Sequence, residues 1–102
     1  MDISMKQNKL LQKILNKYSF SGDDSFELKN PATDELIVKL EDKSSDYVRL
    51  CIEKSANAQK QFRDTLANYR SELLGRWYDL IMQSVDELAE IITIESGKPL
   101  AE

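Results

Sequence analysis

Ser84-Val85-Asp86-Glu87-Leu88-Ala89-Glu90-Ile91-Ile92-Thr93-Ile94-Glu95-Ser96-Gly97-Lys98-Pro99-Leu100-Ala101-Glu102 closes the chain, and its reading governs the rest. Ser84 with Glu87 three residues later has the spacing of a capping box, in which each side chain satisfies a backbone N–H of the other. Leu88, Ile91 and Ile92 continue an apolar helical stripe, and Gly97 stands where a left-handed cap ends a helix. Pro99 then occupies the first position of a further helix, where a missing N–H costs nothing. A helix needs two or three turns to repay nucleation, and only about one turn of sequence follows. The stretch therefore reads as part of an incomplete protein.

Working backwards, Ser44-Ser45-Asp46 starts a long helix with cap hydroxyls and an acid in its first turn. Val48, Cys51, Ile52, Ala56, Gln59 and Phe62 trace one face of it, and Asp64-Thr65 stops it. A second long helix begins between Leu66 and Asn68, with Tyr69, Leu73, Leu74, Trp77, Leu80 and Ile81 expected to face inward. Gly75 inside that helix costs about 1 kcal/mol relative to Ala. Upstream, Phe26–Lys29 and Glu35–Leu40 read as two short strands joined by the Asn30-Pro31-Ala32-Thr33-Asp34 turn. Such a pair is marginal by itself and needs a surface to lie on. Across residues 5–18, Leu10, Leu11, Ile14, Leu15 and Tyr18 have helical spacing, with Lys6, Lys9, Lys13 and Lys17 on their own stripe.

Composition sets the outer bounds. The chain has 102 residues, no His, one Cys and a net charge of −4. Surface scaling allows roughly 65% of the unfolded chain's area to be buried, enough for one small core. Lacking His, the chain has no Ser-His or Cys-His couple, and no zinc site of N and S ligands. A lone Cys makes no internal disulfide, which suits a cytoplasmic setting. No apolar run approaches the ~20 residues that span a bilayer, and a pI near 4.9 argues against nucleic acid. Charge is uneven: residues 1–20 sum to +3 and the rest to −7.

Residue by residue, the chemistry-bearing groups read as structural. Cys51 lies on an apolar helical face with nothing to lower its pKa, and is expected to be a buried small hydrophobe. Asp86, Glu87 and Glu90 read as capping and solvent-face carboxylates, not an acid–base pair. Gly22, Gly75 and Gly97 are too scattered for a phosphate loop. Arg49, Arg63, Arg70 and Arg76 read as surface or ion-pair residues, and Lys98 as a cation offsetting a helix C-terminal dipole. The expected set of catalytic, cofactor-binding and metal-binding residues is empty.

Three segments taken in order carry a resemblance: Asn30-Pro31-Ala32-Thr33-Asp34-Glu35; Phe62-Arg63 ahead of Arg70 and Leu73–Leu80; and Glu87-Leu88-Ala89 with Thr93–Glu102. Together they resemble the N-terminal stretch of the aldehyde dehydrogenase superfamily, and the Thr93–Glu102 ending is most similar to its succinate-semialdehyde branch. Asp34 replaces the usual turn glycine, a tolerable change because Asp enters the left-handed region readily. Gly75 stands where that family usually has a helix former, and Ile14-Leu15-Asn16-Lys17-Tyr18 is loosely similar to a hairpin segment of the family, so the resemblance leaves a strand open beside the helical spacing of residues 5–18. The resemblance implies an α/β parent with a Rossmann-type cofactor domain, in which a cysteine and a glutamate oxidise an aldehyde with NAD or NADP. Those parts lie downstream, and Cys51 does not match the nucleophile. The implied fragment is mainly α-helical with one short strand pair: residues 1–25 an extension, residues 26–102 the first part of the dehydrogenase domain.

Such a piece is expected to be inactive alone, to bind no dinucleotide, and to be poorly stable because its helices were patterned to cover a sheet. Its partner would be the missing C-terminal part of an enzyme whose family is homo-oligomeric. Two rivals are a free-standing helical interaction module using the Lys6–Lys17 stripe, and one chain of a split enzyme.

Overall fold

A computed structural model describes residues 5–102. Its elements run from a 3-10 turn (Met5–Gln7) through α1 (Lys9–Tyr18), β1 (Ser25–Lys29), β2 (Leu36–Glu41), α2 (Ser45–Arg63) and α3 (Ala67–Gln83) to α4 (Val85–Ser96). The described residues group into two compact units, one made of residues 5–42 with 84–102, the other of residues 43–83.

In the first unit, the open reading of residues 5–18 resolves as helix. Asn8 precedes α1 with extended backbone, and its side-chain Oδ1 accepts the Leu11 N–H at 2.9 Å. This satisfies one of the donors that a helix start leaves unpaired. The apolar stripe turns Leu11 fully inward, with Leu10 and Leu15 half-buried, while Lys9, Lys13 and Lys17 stay in solvent. After α1 the chain enters the strand pair, with the Phe20 N–H donating to the Lys39 carbonyl at 2.9 Å.

The strands pair antiparallel, Phe26 opposite Leu40 and Leu28 opposite Val38, with an irregularity at Leu28/Lys29. Side chains close the turn: Asn30 Oδ1 accepts from Ala32 N at 2.9 Å and Thr33 Oγ1 from Glu35 N at 3.3 Å. Asp34 adopts φ 61°, the left-handed position anticipated for it. At the far end of the unit Gly97 caps α4 with φ 77°, its N–H donating to the Thr93 carbonyl. A methyl at Gly97 would stand 3.2 Å from Pro31 Cγ, so this glycine serves both backbone and packing. One turn follows, closed by Glu102 N donating to the Pro99 carbonyl at 3.1 Å. Leu11, Val38 and Ile94, one each from α1, β2 and α4, form the buried core of the described residues.

The second unit is built from stronger local signals, yet none of its residues is fully buried. Ser44 Oγ accepts the Tyr47 N–H at 3.2 Å, the expected start of α2. At the far end Asp64 N donates to the Gln61 and Phe62 carbonyls, the expected stop. The intended inner face is not inside: Tyr69, Leu74, Trp77, Leu80 and Ile81 of α3 are all exposed, and neither α2 nor α3 contains a buried residue. Cys51, expected as a buried small hydrophobe, is not buried either. It is exposed, because the apolar face of α2 on which it lies, with Val48, Ile52 and Phe62, is itself exposed.

Candidate functional site

The densest polar cluster joins the start of α1 to the first turns of α4. Asn8 is 1% exposed, the most deeply buried polar side chain described. Its Oδ1 caps α1, and its Nδ2 donates to the Glu87 carbonyl at 3.0 Å and to Glu90 Oε2 at 3.2 Å. Glu87 Oε2 in turn accepts the Leu10 N–H at 2.7 Å, so a carboxylate sits at the positive end of α1. Every hydrogen-bonding atom of the Asn8 side chain is used. That is the condition under which a buried amide stabilises a fold rather than destabilising it.

This cluster overturns two expectations. Ser84 makes no side-chain cap bond, because its backbone (φ −112°, ψ 16°) lies outside the extended region that aims a cap hydroxyl at the helix start. Glu87 and Glu90, expected at a cap and on a solvent face, are half-buried and hold α1 instead. Asn8 itself was not singled out by its residue type. Its signal is an Asn directly before an apolar-periodic run, but the partners of its Nδ2 lie 79 and 82 residues away.

Beneath α1 an apolar cavity of about 200 Å³ is lined by side chains from α1, both strands and α4, among them Leu15, Leu28, Leu40 and Ile91. Glu95 is its one ionisable carboxylate. The cavity therefore offers no pair of converging polar groups of the kind that orients a reacting substrate.

The remaining sequence candidates are dispersed. Arg70 departs from its expected surface role: half-buried, its guanidinium donates to the Thr65 carbonyl and, at 3.4 Å, to the Arg63 carbonyl. It thereby neutralises the exposed carbonyls at the end of α2. Arg49 pairs with Asp46 at 3.7 Å and Arg63 with Asp64 at 3.6 Å, both exposed and worth little. At Lys98 the backbone is engaged, its carbonyl accepting from Thr93 Oγ1 at 2.6 Å, while the residue is exposed. Among the described residues no three His, Cys, Asp or Glu side chains gather as a metal site, and no helix is long and apolar enough to cross a membrane.

The geometry thus gives, among the described residues, one polar cluster set between α1 and α4 beside a strand pair. Residues 18–102 match the aldehyde dehydrogenase family, and the chain belongs to that family. It is similar to succinate-semialdehyde dehydrogenase [NADP(+)] 2 of Schizosaccharomyces pombe, 38% identical over 84 residues, which is 82% of this chain and 17% of that protein. Glutarate-semialdehyde dehydrogenase of Pseudomonas aeruginosa is 38% identical over 78 residues, 76% of this chain and 16% of that protein. The mitochondrial succinate-semialdehyde dehydrogenase of Homo sapiens is 37% identical over 78 residues, 76% of this chain and 15% of that protein. No solved structure matches the chain. The chain spans about one sixth of the length of these curated relatives.

Proposed function

We propose that this chain is the N-terminal segment of a succinate-semialdehyde-type dehydrogenase that works in the cytoplasm with NAD or NADP. In the reaction of the whole enzyme an aldehyde is oxidised to a carboxylate, water supplies the added oxygen, and the dinucleotide accepts the hydride. The segment's task is architectural: residues 26–102 supply the first strand pair and helices of the dehydrogenase domain, and residues 1–25 extend it. The reacting groups belong to a partner, the remaining C-terminal part, which assembles with it in a homo-oligomeric enzyme.

The observation that carries this reading is the match, across most of the chain, to about one sixth of the length of semialdehyde dehydrogenases. The uncovered apolar faces of α2 and α3 agree with it, since helices left bare on their apolar side are patterned to lie on something larger. They speak equally against a free-standing helical module. The test is direct: the purified chain is incubated with succinate semialdehyde and NAD⁺ or NADP⁺. No reduced dinucleotide is expected to form, and steady formation would overturn the proposal.

A further inference from the structure

The strand pair has one edge that is partly engaged and one that is open. On the β2 side the Phe20 N–H donates to the Lys39 carbonyl at 2.9 Å. On the β1 side no third strand follows among the described residues. Backbone bonds just beyond the two ends of β1 tell which of its groups face that open edge. The Asp24 carbonyl accepts from Asp42 N at 2.8 Å, and Asn30 N donates to the Glu35 carbonyl at 2.9 Å, so both residues turn toward β2. Alternation along an antiparallel strand then turns the main-chain groups of Phe26 and Leu28 inward as well, and those of Glu27 and Lys29 outward. The extra residue at the ladder's irregularity is Ile37, on β2, so β1 itself stays regular.

We infer that this open edge joins two copies of the chain, β1 against β1 of the second copy, antiparallel about a twofold axis at Leu28. A twofold contact requires a patch complementary to itself, and β1 has that property in one register. With Leu28 opposite its own copy, Glu27 stands across from Lys29 of the second copy and Lys29 across from Glu27. The outward N–H and C=O groups of these two residues then exchange four hydrogen bonds. Opposite charges directly across a strand pair stabilise it and like charges destabilise it. Centring the contact on Glu27 or on Lys29 would set like charges face to face. Centring it on Phe26 would require the Ser25 N–H, which already donates to the Asp23 carbonyl at 2.9 Å. The two side chains are free to make the exchange: Lys29 and Glu27 are 45% and 52% exposed, and their 3.8 Å pairing within β1 is worth little in water. Pairing also ends where it should, because Pro31 has no N–H to offer beyond Asn30. The product is a four-stranded sheet, past the size at which a lone hairpin is marginal.

The experiment uses the full chain, with Glu27→Lys and Lys29→Glu as single variants, and measures self-association by sedimentation equilibrium from dilute to millimolar concentration. The first variant has only lysines at these two positions and the second only glutamates. Each alone is expected to dimerise at least about tenfold more weakly than the parent, and their equimolar mixture to recover the parent's strength as a mixed dimer. Amide hydrogen exchange of the parent is read residue by residue in the same range. The Glu27 and Lys29 amides are expected to gain protection as dimer forms, while those of Phe26 and Leu28 are protected throughout. A parent that stays monomeric overturns the inference, as does a dimer that neither single variant weakens or a mixture that does not recover. So does a dimer in which the Glu27 and Lys29 amides exchange as fast as in the monomer, because the copies would then meet through the exposed helix faces. Dehydrogenase activity plays no part in the readout, so the result leaves the proposed function untouched.

Discussion

The half of the chain made of residues 43–83 and the half that surrounds it in sequence differ in an instructive way. Residues 43–83 hold the two longest helices, one started by a serine cap and stopped on schedule, yet they bury none of their side chains. The other unit has a ten-residue helix, a twelve-residue helix and a five- and six-residue strand pair, all short, and it contains the whole described core. Local signals decide whether a helix forms, but a core requires elements distant in sequence to converge. Only the first unit, with its α1, strand pair and α4, brings segments from both ends of the chain together.

That contrast is sharpest where the same residue type appears on both sides. Ile94 is 3% exposed and Ile52 is 62% exposed. Ile94→Ala is expected to cost 2–5 kcal/mol, about the usual loss for truncating a core isoleucine, with thermal or urea unfolding of the α1, strand and α4 region as the measurement. A loss below about 1 kcal/mol would mean that this core is not closed. Next in size is Gly75, whose added methyl would meet no atom within 4 Å. Gly75→Ala is expected to stabilise α3 by about 1 kcal/mol, seen as higher helicity by circular dichroism and slower exchange across residues 67–83. Smallest is Ile52→Ala, expected to stay within about 0.5 kcal/mol of the parent, because an exposed position has little packing to lose. A cost comparable to that of Ile94→Ala would show that α2 is covered in solution and would erase the distinction between the units.

Much of the local architecture was legible because its causes lie within a few residues. The Ser44 start, the Asp64 stop, the Asp34 left-handed turn and the Gly97 cap each depend on a side chain reaching, or a backbone tolerating, something within about one turn. Helix existence followed from apolar spacing in the same way. Two kinds of feature escaped. Asn8, Glu87 and Glu90 form a site only through contacts spanning most of the chain, and no periodicity encodes which distant carboxylate a cap residue meets. Glu87 even satisfied a local pattern, the capping box, that lost to the longer-range bond with Leu10. The other failure was burial. The face containing Cys51 reads as an interior face, but periodicity reports only that a side was shaped for cover. The cover itself is a separate fact.

The placement of Trp77 has a practical consequence. It is the only indole in the chain, it lies on α3, and three of the four tyrosines (Tyr47, Tyr69 and Tyr78) sit beside it in residues 43–83. Intrinsic fluorescence therefore watches the half that packs least. Trp77 is already 62% open to water, so its emission colour should scarcely change as denaturant rises. A flat optical trace would coexist with complete melting of the half that contains no tryptophan.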